Sequence, residues 1–475
     1  MTTETASGLR DNESTGKFDM TTPSRPSASA RRVTRRKPPQ RLGRLRRYRI
    51  ENLFDTSTYE FDLDSSGPTL LTGVNGTGKS TILRTIDAVS TGSWPALAQV
   101  PFTSLTLRFD SDRVLSIGRT KDELAISLTG ETTWRFHLAP EYGYDRELLI
   151  ELDRRYTQLA AMEEDVLIRE SSSRRELDLL RRDLTERQVA LEHFRSRSSR
   201  IPEWTRQLSE IFPVLFITDQ RLIIDSPKRG SERERSTRAA ADEVARQIAR
   251  EISTAKSSYG NRSQALDHDF PQRVIRTIKN PPNVSDQDLR HQLEELTRRS
   301  ESLEAVGLLA KESVGEFEDL DLALANVKPL IQTYVADSRQ KLEVLEPLRI
   351  KLQLFSEFLR QHYTKKRIVL DPDDGFTIWP SGRKGPPLPP GKLSSGEQQM
   401  MVLAHQILFK ATAGTLVLID EPELSLHVLW QATFVEDLAQ MGRVNNLSFL
   451  LATHSPTLIG GRDDLKRSLD LNSKA

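Results

Sequence analysis

Eight residues at positions 73–80, GVNGTGKS, constrain the fold of this chain more than any other stretch. They match the pattern G-x-x-x-x-G-K-[ST] at every fixed position. The apolar run Thr69, Leu70, Leu71 stands directly before them, and in 80–89 Ile82, Leu83 and Ile86 recur at helical spacing. Strand, glycine loop, helix is therefore the expected local order. Glycines let successive backbone N–H groups turn toward one anion, and the following helix adds the positive end of its dipole. A plain glycine turn is the alternative, and the flanking strand and helix weigh against it. The loop is expected to wrap a nucleotide polyphosphate with Gly73, Asn75, Gly76, Thr77, Gly78, Lys79, Ser80 and Thr81. Lys79 would reach the β and γ phosphates, and the Ser80 hydroxyl would ligate Mg²⁺.

A loop of this kind needs a carboxylate partner. At 416–419 four apolar residues, LVLI, read as a buried strand that ends in Asp420 and Glu421. Asp420 is expected to complete the Mg²⁺ shell and Glu421 to orient and polarise an attacking water.

Around these two words the pattern changes several times. Residues 1–44 are rich in Ser, Thr, Arg and Pro and are expected to be a disordered tail. Ten of the nineteen residues at 31–49 are Arg or Lys, which suits either a phosphate backbone or simple solvation. Short alternating runs at 48–54, 59–63 and 69–71 read as strands, and four more at 105–109, 114–117, 124–128 and 134–138 suggest an antiparallel sheet. From 146 to 200 the chain is charged and helical, with Leu177, Leu180, Leu184, Leu191 and Phe194 on a heptad seam that only Arg187 interrupts. A second helical stretch, 286–361, keeps the repeat at Leu289, Leu293, Leu296 and Leu303. Short coiled-coil arms and an ordinary helical subdomain both fit, and a strand at 212–217 separates the two stretches.

Composition removes several classes. With no cysteine there is no disulfide framework, thiolate metal site or cysteine nucleophile. The 68 Lys and Arg nearly cancel 67 Asp and Glu, so any attraction to nucleic acid must be local. No stretch approaches the roughly 20 apolar residues of a membrane span. A cytoplasmic protein without a membrane dock is the expectation.

Three further words follow the glycine loop in a fixed order: LSSGEQ at 393–398, EPELSLH at 421–427 and ATHSP at 452–456. With the loop and the two acids they resemble the ABC-type ATPases. The resemblance implies an α/β fold, an ABC-type P-loop ATPase head with a mixed sheet and an antiparallel β subdomain, split by a helical, partly coiled-coil insertion. The lobes would be 45–145 and 366–475, with the insertion at 146–365. It also implies that Ser394, Ser395, Gly396 and Glu397 of one protomer meet ATP held by another, and that His454 contacts the terminal phosphate from its own side. Heads would then pair, or assemble further, on ATP. Gln220, with Arg221 beside it, is the candidate for the family's glutamine loop. Ser395 and His427 depart from transporter usage, which has glycine and aspartate there.

The long separation of Lys79 from Ser394 is similar to the split heads of the SMC, RecF and OLD-type ATPases. About twenty residues follow Pro456, fewer than the 50 or so of a domain, so an OLD-type nuclease domain is not expected on this chain. Stand-alone heads of this kind resemble ATPases of anti-phage systems such as Septu and PARIS, which act with a separate effector, a nuclease or toxin. A DNA-repair or chromosome-maintenance ATPase and a low-turnover ATP-binding scaffold are the alternatives. DNA is a possible further partner.

Overall fold

The computed structural model describes residues 41–64, 67–137, 201–218, 233–310, 327–382 and 385–469. Alternating apolar residues produce a first sheet from β1 (Leu45–Leu53), β2 (Ser57–Asp62), β4 (Ser104–Phe109), β5 (Val114–Arg119), β6 (Glu123–Leu128) and β7 (Trp134–His137). Its order is β2-β1-β4-β5-β6-β7, antiparallel throughout. Tyr48, Ile50, Leu105, Leu107, Leu115, Ile117, Leu124 and Ile126 alternate with polar neighbours and are buried on one face. Burying side chains of this size is worth about 1.5–3 kcal/mol each. The four strands expected at 105–138 are therefore present as one antiparallel run.

A second sheet carries the words that bear chemistry. Its strands are β3 (Thr69–Thr72), β8 (Val214–Ile217), β11 (Leu416–Asp420), β12 (Ser448–Ala452) and β13 (Lys466–Ser468), all parallel in the order β13-β3-β12-β11-β8. Helix α1 (Lys79–Thr91) packs between the sheets: Leu71, Leu416, Leu418, Leu450 and Ala452 share one core with Ile82, Leu83, Ile86, Tyr48 and Ile50. The opposite side chains, Val417, Ile419, Phe449 and Leu451, join a second core with Met400, Phe434 and Phe355. Burial on both faces explains why LVLI and FLLA are unbroken apolar runs. Asp420 is in register with Ala452, and Ala452 with Leu71, so the carboxyl ends of β3, β12 and β11 lie along one edge.

The strand expected within the helical insertion belongs to this sheet: Val214 to Ile217 pair with Leu416 to Ile419. Pairing along β11's edge buries Ile217 and half-buries Val214, Leu215 and Phe216. The longer helices after α1 are α2 (Arg233–Lys279), α3 (Asp286–Ala305), α4 (Val327–Glu343) and α5 (Glu346–His362), followed by the hairpin β9 (Lys366–Asp371) and β10 (Gly375–Pro380), then α6 (Ser395–His405) and α7 (Val428–Val444). The stretch read as one run over 286–361 is thus divided into α3, α4 and α5. Ser285 caps α3 by accepting the Asp288 N–H at 3.0 Å, and Gly307, with φ 75°, lies just beyond its end. Leu289 and Leu293 pack with Ile331 and Val335 of α4, while Leu296 and Leu303 enter the larger core. The seam at 177–194 lies outside the described residues. Among the described residues no helix is long and apolar enough to cross a membrane.

Candidate functional site

The loop between β3 and α1 has the backbone its glycines allow. Gly76 and Gly78 lie at φ 86° and 93°, in the left-handed region that favours glycine. A Cβ on Gly78 would stand 2.9 Å from Leu53 Cδ2, so close approach to the β1–β2 turn also demands glycine there. Thr77 closes the turn by donating from its hydroxyl to the Val74 carbonyl at 3.0 Å. Val74, Asn75 and Gly76 are exposed at the tip, and Thr81 is half-buried on α1. No side chain caps α1, and a helix start of this kind suits an anion. Lys79 is buried, and its ammonium donates to the carbonyls of Gly73 at 2.9 Å and Val74 at 3.2 Å.

From the far end of the chain β11 brings Asp420 to the same place, where the Ser80 hydroxyl donates to Asp420 Oδ1 at 2.9 Å. Among the described residues no group of three or more His, Asp or Glu is placed to hold a metal alone. A hard cation would take Ser80 and Asp420 from the protein and its remaining oxygens from phosphate and water, as Mg²⁺ does. Glu421 has a left-handed backbone, φ 45°, costly for a non-glycine residue, and its N–H donates to the Ala452 carbonyl at 2.9 Å. His454 follows on the neighbouring strand's exit, exposed, with its backbone N–H donated to Glu423 Oε1 at 2.6 Å.

The word LSSGEQ forms a separate constellation. Ser394 is the N-cap of α6 in a capping box: its hydroxyl accepts the Glu397 N–H at 3.4 Å, while Glu397 Oε2 accepts the Ser394 N–H at 2.9 Å and hydroxyl at 2.8 Å. Glu397 Oε1 is ion-paired with Lys366 of β9, and the Tyr363 hydroxyl donates to the Glu397 carbonyl at 2.6 Å. Burial opposes ionisation of Glu397, yet Lys366 and Ser394 together hold its carboxyl below the usual glutamate value. Glu397, expected at the nucleotide, is therefore turned inward as the brace of the helix start. Ser394 and Ser395 remain exposed and Gly396 half-exposed.

His427, which stands where transporters have aspartate, caps α7 by accepting the Leu429 N–H on Nδ1 at 3.3 Å. Beside it Leu424, Val428 and Leu429 form an apolar shoulder, each between 62 and 74% exposed. Gln220 and Arg221 lie outside the described residues, although β8, which leads toward them, ends beside β11. Of the basic stretch, Arg47 pairs with Glu60 and Asp62, and Arg49 with Glu51 and Glu60. Arg41 and Arg44 reach Ala413 and Asn446. These arginines are largely occupied by their own chain.

One residue near the loop escaped the sequence. Phe54, 44% exposed and with φ 56°, sits in a β1–β2 turn where Asn52 and Asp55 are also left-handed, and its ring edge would lie 3.4 Å from a Cβ on Gly78. An aromatic just past a strand of alternating residues is the only written trace of it.

A glycine loop between a strand and a helix of a parallel sheet, with two acids ending another of its strands, defines a P-loop ATPase head of ABC type. Residues 69–460 match the family described as "AAA domain, putative AbiEii toxin, Type IV TA system", and the chain belongs to that ATPase family. The lipoprotein-releasing system ATP-binding protein LolD of Granulibacter bethesdensis is 36% identical over 74 residues, 16% of this chain and 31% of LolD, so the chain spans about a third of that relative. Among solved structures, the Smc head domain of Pyrococcus furiosus, with an extended coiled coil and bound to the C-terminal domain of ScpA, is 15% identical with a TM-score of 0.34, covering 88% of this chain and 91% of that one. The SMC head domain from Thermotoga maritima is 10% identical with a TM-score of 0.32 over 88% and 91%. Both likenesses are weak.

Proposed function

We propose that the chain binds ATP·Mg²⁺ on the 73–81 loop and hydrolyses it, and that two copies close over the nucleotide, with Ser394, Ser395 and Gly396 of one facing the phosphate held by the other. The observation that carries this reading is the Ser80–Asp420 hydrogen bond, which brings the loop hydroxyl and the strand-end carboxylate to one place, where both could hold a cation. When bound, Mg²⁺ supplies positive charge at the phosphate oxygens, and Ser80 and Asp420 hold it. Lys79, released from the Gly73 and Val74 carbonyls, neutralises the terminal phosphates. Glu421 takes the attacking water's proton or aligns its lone pair, and its fixed backbone keeps the carboxylate from drifting. His454 meets the terminal phosphate from the exit of β12. Phe54 offers a ring on which the base can stack.

The apolar shoulder of Leu424, Val428 and Leu429, next to Glu421, supports association through this edge of the sheet. The family description, which names a "putative AbiEii toxin, Type IV TA system", is compatible with a role in anti-phage defence, in which the chain would act with a separate effector; a DNA-repair ATPase is the second reading. The self-pairing of Arg47 and Arg49 weakens the case for DNA along that stretch. The test compares wild type with E421Q. Wild type should hydrolyse ATP and E421Q should bind it without turnover, accumulating as a nucleotide-bound dimer by light scattering. Equal hydrolysis by the two proteins would rule out Glu421, and an ATP-independent monomer would rule out the pairing. Purification from the native host with ATP, followed by identification of bound proteins, tests the effector.

A further inference from the structure

Two residues after Glu421, a second carboxylate is held in an arrangement that hydrolysis as described leaves unused. Glu423 Oε1 accepts the backbone N–H of His454 at 2.6 Å, while its Oε2 is buried and has no partner among the described residues. Leaving a buried carboxylate oxygen unpaired is costly, so its retention calls for a reason. The neighbourhood is already tied without it. Glu421 N–H donates to Ala452, and Gln431 on α7 bridges the two loops, donating to the Leu426 carbonyl at 3.1 Å and accepting the Ser455 hydroxyl at 2.7 Å. Gln431 shows that a neutral amide suffices to fasten this turn. What Glu423 adds is a short bond, made at the full reach of its side chain, to one atom, the amide of His454, whose side chain is exposed at the site edge.

We propose that Glu423 is a positioning residue for His454: it fixes the histidine's backbone relative to Glu421, so that water-orienting and phosphate-sensing groups move as one unit. The proposal rests on the role given to His454 above. Because the 422–425 turn also carries exposed Leu424, a second copy seated on that shoulder would press on the same unit.

Reach distinguishes this role from charge alone. E423Q keeps an acceptor oxygen at full length, whereas E423D keeps the charge and withdraws the oxygen by one methylene. In protein labelled with ¹⁵N at its eight histidines, one backbone amide should lie far downfield, stay there in E423Q, move upfield in E423D and vanish in H454A. For ATP hydrolysis, E423Q should stay within about threefold of wild-type kcat, and E423D should lose about tenfold or more with KM nearly unchanged. Placed in an H454A background, E423D should cost less than about twofold further. E423D outperforming E423Q, or an undiminished E423D loss without His454, would overturn the proposal. If wild type hydrolyses no ATP, the hydrolysis reading falls, and the amide shift alone still decides whether Glu423 holds His454.

Discussion

The Ser80 hydroxyl and Asp420 Oδ1 stand 2.9 Å apart although 340 residues separate them in sequence. They meet because β12 lies between β3 and β11 with all three carboxyl ends in register. His454 follows Ala452 of β12 on the same edge.

Lys79→Ala should abolish nucleotide binding while leaving the fold in place. The lost ammonium leaves the Gly73 carbonyl without that donor, a cost of about 1 kcal/mol. Calorimetric titration with ATP should show a loss of about 100-fold or more, equivalent to about 2.7 kcal/mol, with an unchanged far-UV circular dichroism spectrum. Retained binding would move the site elsewhere.

Phe54→Ala separates base from phosphate. Loss of one stacked ring should weaken ATP about tenfold, whereas inorganic tripolyphosphate, which has no base, should bind both proteins equally. Equal losses for the two ligands would mean that the ring supports the loop through Gly78 instead.

Acid should loosen the signature turn. The folded carboxyl of Glu397 lies below its ordinary value of 4.5. Its contribution is therefore complete above that value and is lost as the pH falls through the lower folded one. Comparing urea unfolding of wild type and E397Q at pH 7 and pH 3.5, the gap in stability should narrow in acid. A gap that widens would contradict the Lys366–Glu397 brace.

Much of this site is legible in the sequence because phosphate and metal chemistry demands particular residues at particular spacing. Gly76, Gly78, Lys79, Ser80, Asp420 and Glu421 are written as words. The inward turn of Glu397 was also written, since Ser394 and Glu397 have the spacing of a capping box, but the same letters spell the signature and hide it. Helix α2 left little trace: Ser253, Thr254, Ser257, Ser258 and Asn261 leave its middle mostly solvated, with Ile252 and Leu266 buried far apart. Nothing local could announce that β8 would pair with β11, or Glu423 with His454, because those partners are chosen by the sheet order.

His405 supplies an acid-labile point at the other end of the signature helix. Burial, with Lys410 nearby, pushes its imidazole down to about 4 from the ordinary 6.5. Its Nε2 has no partner among the described residues. The folded state thus binds the proton less readily than the unfolded chain. Stability is unaffected above pH 6.5 and declines as the pH falls from there toward 4, by up to ~3 kcal/mol. H405F, which cannot be protonated, should flatten this decline in thermal melts at pH 4–6.5. An unchanged slope would place the acid sensitivity elsewhere.

Strand β3 finds both its neighbours, β12 and β13, only after roughly 380 further residues have been added. At a synthesis rate of about 5–20 residues per second, the ribosome needs on the order of 20–75 s to supply them. Throughout that interval Leu70 and Leu71 have no strand to lie between, and the glycine loop has no frame to hold its curve. A nascent chain therefore cannot capture nucleotide early, and any protein that shelters its unfinished apolar strands must wait for residues 448–468 before letting go.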